Sequence, residues 1–287
     1  METVLAVDIG GTKIAAGVVG ADGSVLRRSK APTPSTGDGE TLLAVVLATV
    51  AEVRSGDERG CGVGCGGPMA SGGETVSPLN IPAWRGFALR SRLAASFGLP
   101  TFVDNDAKAL ALGEGWMGAA RGVRDFIGMV VSTGVGGGIV LDGRLLDGGQ
   151  GNAGHIGHVI VEPDGRTCEC GARGCLEAEA SGMAIAARTG APPAEASIEE
   201  RERAGRLVGR AVASVANLLD LRLAVVAGSV ALGFGDDFFR AAQAELDRSA
   251  RLDFSVGARI APAGLGDAGP LVGAAAVGWR GLGLELA

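Results

Sequence analysis

The pattern of apolar and polar positions divides the chain into short strands and amphipathic helices separated by glycine-rich turns. Residues 4–7 read as an apolar strand that runs into Asp8 and the turn Gly10, Gly11, Thr12, Lys13. Residues 14–19 form a second strand, and a third follows the turn "GADGS". Strand, polar turn and strand predict antiparallel hairpins. Residues 126–149, "FIGMVVSTGVGGGIVLDGRLLDGG", repeat the design: an apolar strand, the turn Ser132, Thr133, Gly134, a glycine run at 136–138, a strand, the turn "LDGR" and another strand. The two stretches match in architecture rather than residue by residue, and they predict a duplicated domain.

Residues 40–54 predict an amphipathic helix, residues 60–67 a buried strand, and "FALRSRLAAS" a second helix. "PTFVDNDAKALALGEGWMGAA" is a strand running into a helix, with Asn105 and Asp106 at the junction. Further on, the pattern predicts a helix over Ile198–Leu219, a strand over 223–230 ending in a turn, and a helix over Asp236–Ser249. "DAGPLVGAAAVGW" reads as a helix with proline near its start, and residues 189–197 as a surface loop. This order predicts an α/β protein of mixed sheets flanked by helices, with no long linker.

A chain of 287 residues can hold two domains or one large one, and 47% hydrophobic with 20% charged residues is a globular composition. The net charge of −6 argues against nucleic acid or an anionic membrane as the main partner. The N-terminal apolar run lacks a basic leader and is broken by Asp8, so no signal peptide is expected. No uncharged apolar run approaches the ~18 residues of a membrane span. Of five cysteines, Cys168, Cys170 and Cys175 cluster beyond His155 and His158, the two histidines of the chain. That clustering suits a reducing cytoplasm and a metal better than a disulfide frame. Cys61 and Cys65 alternate with glycine in a strand and read as core residues.

Fifty glycines and no tyrosine are unusual. A genomic bias toward small residues accounts for part of this, but not for the bunching at strand ends. Glycine turns let backbone amides donate to an anion, and threonine hydroxyls add donors. Ordinary hairpin turns are the plain alternative. Two such turns flanked by threonine, one of them after Asp8, favour a nucleoside triphosphate held between two lobes. Asp8 would then orient Mg²⁺ through water, since Mg²⁺ keeps most of its own shell. There is no GxxxxGK[ST], so this is not a P-loop.

Asn105 or Asp106 could simply cap the helix that follows them. The sharper reading is a kinase site, where one carboxylate accepts a hydroxyl proton beside donors that fix the acceptor. The spacing C-x-C-x4-C is too tight for one helical face and suits a loop around Zn²⁺, closed by one histidine as a Cys₃His tetrahedron. Three unliganded buried thiols are the alternative.

The stretches "DIGGTKIAAG", "VDNDAKALALGE", "VSTGVGGGIV", "GHIGHVIV" and "CECGARGCLEAEASG" resemble, in order and spacing, the ROK family of sugar kinases, and the similarity runs from residue 4 to about 278. The resemblance implies a two-lobed, actin-like ATPase fold of the ribonuclease H-like kind. Its small lobe would span 1–107, with a C-terminal helix at about 270–287 packing back on it, and its large lobe 108–269 with the zinc loop. It also implies ATP, Mg²⁺ and structural Zn²⁺, and γ-phosphoryl transfer to the 6-hydroxyl of a hexose or N-acetylhexosamine. By resemblance, Asp106 is the general base, and Asn105, Asn80, Gly67, His155, His158 and Glu177 bind the sugar. Asp8, Gly10, Gly11, Thr12, Lys13, Thr133, Gly134 and Gly136 serve the phosphates, and Gly228 the adenosine side, where "AGSV" departs from the usual two glycines. His158, Cys168, Cys170 and Cys175 would hold the zinc. A homodimer or homotetramer is expected.

His155 departs from the glucokinase-like pattern, which has a glutamate there; "GHIGH" is similar to the bacterial N-acetylmannosamine kinases of the family. A carboxylate only accepts hydrogen bonds, whereas a neutral imidazole both donates and accepts. N-acetylmannosamine is therefore the first acceptor expected and glucose the second, with neutral drift at position 155 as the plain alternative. A ROK repressor is disfavoured because the first hairpin begins at residue 4, with no room for a preceding helix-turn-helix. A non-catalytic sugar sensor is disfavoured because Asp106 and both turns are intact.

Overall fold

A computed structural model describes residues 1–284. Along the chain, β1 (Thr3–Ile9), β2 (Lys13–Gly20) and β3 (Val25–Pro32) lead to helix α1 (Gly39–Ala51). Next come β4 (Cys61–Cys65), α2 (Leu89–Phe97), β5 (Thr101–Asn105) and α3 (Asp106–Met117). After them follow β6 (Phe126–Val131), β7 (Val135–Leu141), the short β8 (Arg144–Leu145), α4 (Leu176–Ala180) and α5 (Gly182–Thr189). The remainder is α6 (Ile198–Leu219), β9 (Leu223–Ala227), α7 (Ser229–Phe234), α8 (Asp236–Ser249), β10 (Arg259–Pro262) and α9 (Gly269–Gly281).

These elements build two sheets of the same plan. One has the order β3-β2-β1-β4-β5 and the other β8-β7-β6-β9-β10. In each, a central strand pairs antiparallel with its successor in the hairpin and parallel with a later strand: β1 with β2 and β4, β6 with β7 and β9. The duplication read from the two glycine hairpins is thus a duplication of topology. The first compact unit comprises residues 1–122, 145–153 and 264 onward; the second comprises 123–144 and 154–263.

In the first unit, β1 is buried on both faces because β2 and β4 flank it and helices cover it; Val4, Leu5, Val7 and Ile9 are fully buried. β3 closes the sheet as an edge and carries Arg27, Arg28 and Lys30, charges that blunt an exposed edge. α1 starts at Asp38, whose side chain accepts from Thr41 N, and buries Leu42, Leu43, Val46 and Val50 at helical spacing. α9 explains part of the glycine excess. A Cβ at Gly62 of β4 would lie 2.0 Å from Ala274 O, and one at Gly273 would lie 2.6 Å from Ala109 O. Helix backbone therefore lies almost directly on strand and helix backbone.

The second unit is centred on α6, which begins at the Ser197 cap and buries Ala204, Leu207, Val208, Ala211, Val212 and Val215. These pack with Ile127, Met129 and Val131 of β6, Val226 of β9, and Phe238 and Leu246 of α8.

Several boundaries differ from the sequence expectation. The strand expected at 223–230 stops at Ala227, and α7 begins at Ser229, because Gly228 turns the chain with φ 101°. The helices α4 and α5 and the strand β10 lie outside any expected element. The 189–197 loop contains a single 3₁₀ turn, Pro193–Glu195. α3 and residues 145–153 group with the first unit, where the sequence reading ended the small lobe at 107. Close packing groups α3 there, since a Cβ at Gly113 would lie 3.0 Å from the Gly273 backbone. Of the helix expected at 270–287, residues 285–287 lie outside the described residues. Among the described residues, no helix is long and apolar enough to cross a membrane.

Candidate active site and metal centre

In the first unit, β1, β4 and β5 run parallel and end at one edge, with Asp8 opposite Gly64 and Cys65 opposite Asn105. Carboxyl ends of parallel strands are where α/β folds place ligands. Asn105 is the N-cap of α3: its side-chain oxygen accepts from Ala107 N at 3.0 Å, and the Asp106 carboxylate accepts from the same N–H at 2.9 Å. Capping is therefore real, and it fixes Asp106 in the first turn of a rigid helix. A methyl group at Gly64 would touch both Asp8 Oδ1, at 3.4 Å, and Asp106 Cα, at 3.7 Å. Burial, and then the neighbouring Asp106 carboxylate, push the Asp8 carboxyl up to about 7 against the pull of Lys13.

The turn between β1 and β2 is closed by Gly10 N donating to Lys13 O, and Thr33 Oγ1 donates to Gly10 O at 2.7 Å. Gly11, Thr12 and Lys13 are exposed. A Cβ at Gly11 would lie 2.7 Å from the Asn80 Cβ, so this turn and the Asn80 loop touch through a glycine. The same loop meets Gly67, whose carbonyl accepts from Leu79 N. The first unit thus brings Asp8, Gly10, Gly11, Thr12, Lys13, Gly67, Asn80, Asn105 and Asp106 to one edge.

In the second unit, Thr133 and Gly134 form the turn between β6 and β7. Gly136 lies inside β7, paired with Val130, rather than in that turn. The loop glycines serve close packing on β7: a Cβ at Gly154 would lie 2.4 Å from Gly137 O, and one at Gly157 would lie 2.3 Å from Val135 O. The "GHIGH" loop therefore runs against the β7 backbone. A Cβ at Gly228 would lie 2.2 Å from Val131 O, and Ser229 Oγ sits 2.9 Å from Ser132 Oγ. Glu177 accepts from Val135 N at 2.9 Å, and its carboxylate leaves no space for a Cβ at Gly134. The rings of His155 and His158 lie nearly parallel with centroids 6.3 Å apart.

The ligand atoms of His158, Cys168, Cys170 and Cys175 all lie within 4.8 Å of one another. Cys170 Sγ is 3.7 Å from Cys175 Sγ, and Cys168 Sγ is 3.7 Å from His158 Nδ1. With Zn–S near 2.3 Å, the edge of a tetrahedral site is about 3.8 Å. The four residues fit a closed structural zinc site. Below the cysteines the loop is locked by its backbone: Gly174 has φ 73°, and a Cβ there would lie 1.6 Å from Glu162 O.

Sequence reasoning missed the buried charges around these segments. Lys108, 2% exposed, pairs with Asp104 and Asp147 at 2.9 Å and donates to Gly151 O. Glu114, fully buried, accepts from Ala119 N, Gly264 N and Leu265 N. Their readable signal is isolation, since they are the charges left in the otherwise apolar run after Asp106. Arg85 gathers the carbonyls of Pro78, Ile81 and Trp84 and so holds the Asn80 loop.

Two sheets of one topology, a donor-rich turn on each and a Cys₃His loop define a duplicated α/β fold shared with structurally known sugar kinases. A ROK family glucokinase from Streptomyces griseus, solved in complex with glucose and AMPPNP, superposes with a TM-score of 0.83 at 31% identity, covering 97% of this chain and 99% of that one. The chain belongs to the ROK family, which it matches over residues 4–279. It is 37% identical over 249 residues to the N-acetylmannosamine kinase of Escherichia fergusonii, covering 81% of this chain and 85% of the relative. It is 40% identical over 186 residues to the glucokinase of Thermotoga maritima, covering 63% of this chain and 58% of that glucokinase.

Proposed function

We propose that the protein is an ATP-dependent sugar kinase that phosphorylates the 6-hydroxyl of a hexose or N-acetylhexosamine, with N-acetylmannosamine as first acceptor. The observation that carries the kinase reading is Asp106, held by its cap at the head of α3 beside Asp8. In this reading the Asp106 carboxylate takes the proton of the sugar hydroxyl as its oxygen attacks the γ-phosphorus and the bond to the departing ADP oxygen breaks. Asn105, Asn80, Gly67, His155, His158 and Glu177 orient the sugar. Amides and hydroxyls at Gly10, Gly11, Thr12, Lys13, Thr133 and Gly134 meet the phosphates, Gly136 shapes the second turn from within β7, and Gly228 borders the adenosine. Mg²⁺, when bound, neutralises phosphate charge, and Asp8 would hold its water shell. Zn²⁺, when bound by His158, Cys168, Cys170 and Cys175, supplies a structural fastening rather than chemistry.

"GHIGH" supports N-acetylmannosamine, and the similarity to the Thermotoga glucokinase supports glucose as the second reading. A coupled ADP-release assay over glucose, mannose, fructose and their N-acetylamino counterparts distinguishes these, and no turnover on any would indicate a sugar sensor. In the same assay Asp106→Asn should bind ATP but lose about 10²–10⁴-fold in kcat, the usual scale of general-base catalysis. Near-native turnover in that variant would remove Asp106 from the role.

A further inference from the structure

Glu177 stands on α4, a helix of five residues that has too few internal hydrogen bonds to hold its own orientation. Something outside it must aim the Glu177 carboxylate. On one side the carboxylate rests on Val135 N. Residues two apart on a helix point in nearly opposite directions, so Glu179 faces away from Glu177. Glu179 is 2% exposed and fully engaged: one carboxylate oxygen accepts from Arg166 N at 2.6 Å, the other from the Arg203 guanidinium at 2.5 Å. The backbone carbonyl of Glu179 also accepts, from Arg203 at 3.0 Å and from Arg188 at 3.1 Å. Arg188 is itself gripped by Glu200 of α6, the helix that carries Arg203.

We propose that Arg203 and Glu179 are positioning residues for sugar binding: they fasten α4 to α6 so that Glu177 is aimed at the sugar, an inference that rests on the sugar-kinase reading. Arg203 is suited to this because its fork meets the Glu179 side chain and main-chain carbonyl together. Neither residue touches substrate, and their effect runs through Glu177. A hydrogen bond from the sugar to Glu177 exists both before and during phosphoryl transfer, so loosening it weakens binding more than turnover.

The test uses the full chain, native and as Arg203→Ala, Arg203→Lys and Glu179→Gln, with kinetics at varied sugar and saturating ATP and with zinc content measured on the same preparations. Arg203→Ala should raise the sugar KM about tenfold, the scale of a weakened hydrogen bond to a charged group, with kcat within about twofold and zinc retained. Arg203→Lys keeps the charge but not the fork, and should recover part of the loss. Glu179→Gln preserves shape and the acceptor for Arg166 N, and should raise the sugar KM in the same direction even if Arg203→Ala does not fold. An unchanged sugar KM in a folded variant overturns the proposal. So does loss of zinc in step with the KM change, which would make the arginine a support of the metal loop. If the native protein phosphorylates no sugar, the kinase reading itself falls, a separate outcome.

Discussion

At the scale of single residues, the proposed preference for N-acetylmannosamine rests on His155. It is exposed, and its ring lies parallel to that of His158. An imidazole N–H can donate to an amide carbonyl that a carboxylate would repel, and a polar group left unpaired beneath a bound sugar costs about 1–3 kcal/mol. That is roughly a ten- to hundredfold change in kcat/KM. His155→Glu should therefore move the ratio of kcat/KM for N-acetylmannosamine over glucose toward glucose by about that factor; equal ratios in the two proteins would leave position 155 without influence on specificity. Asp106 and Glu177 stand in short polar stretches between apolar runs, and the structure places them in the first turns of α3 and α4. Less legible was the division of labour within a residue, such as the Asn105 oxygen being given to the α3 cap. Sequence shows a capping residue type but not which of its atoms are used.

At the scale of elements, the loop over residues 158–175 carries the Cys/His cluster that could hold an ion. Its ligand atoms are close enough for a tetrahedron, while its base is held by the Gly174–Glu162 contact and by Arg210 of α6, which donates to Val161 O and the Glu162 carboxylate. Elemental analysis should find about one zinc per chain, the stoichiometry of one four-ligand site. Cys170→Ser should lower zinc content and weaken sugar binding, because the loop leads directly into Glu177. A protein without zinc that binds sugar with native affinity would refute the fastening role. The long elements were readable: α6 and α8 have the expected bounds because each repeats its apolar stripe over several turns and has a clear start. α4, α5 and β10, of five, eight and four residues, are shorter than the window over which a period can be recognised. They exist because of tertiary contacts, as the pinning of α4 illustrates.

At the scale of the whole molecule, stability should respond to pH through Asp8. Its carboxyl is raised from 3.8 to about 7 in the folded chain, first by burial and then by Asp106. Between those values the native state holds a proton that the unfolded chain has released, so stability falls as pH rises through that window. The contribution is fully present below 3.8 and gone above about 7. Asp8→Asn removes it, so in thermal scans without nucleotide the native Tm should drop relative to the variant between about pH 4 and 7. Parallel curves would show that Asp8 titrates normally. The duplicated topology was legible from the two glycine hairpins, but the partition of the chain was not, since it depends on Gly62, Gly113 and Gly273 admitting α9 from far along the sequence. That docking also sets an order of events during translation. The second unit lies wholly within residues 123–263, so every strand and helix it needs has been made before α9 leaves the ribosome. The β1-β2-β3 hairpins, made first, must wait with one face of their sheet uncovered until residue 281 has been added, so the half of the protein that begins the message is the half that finishes folding last.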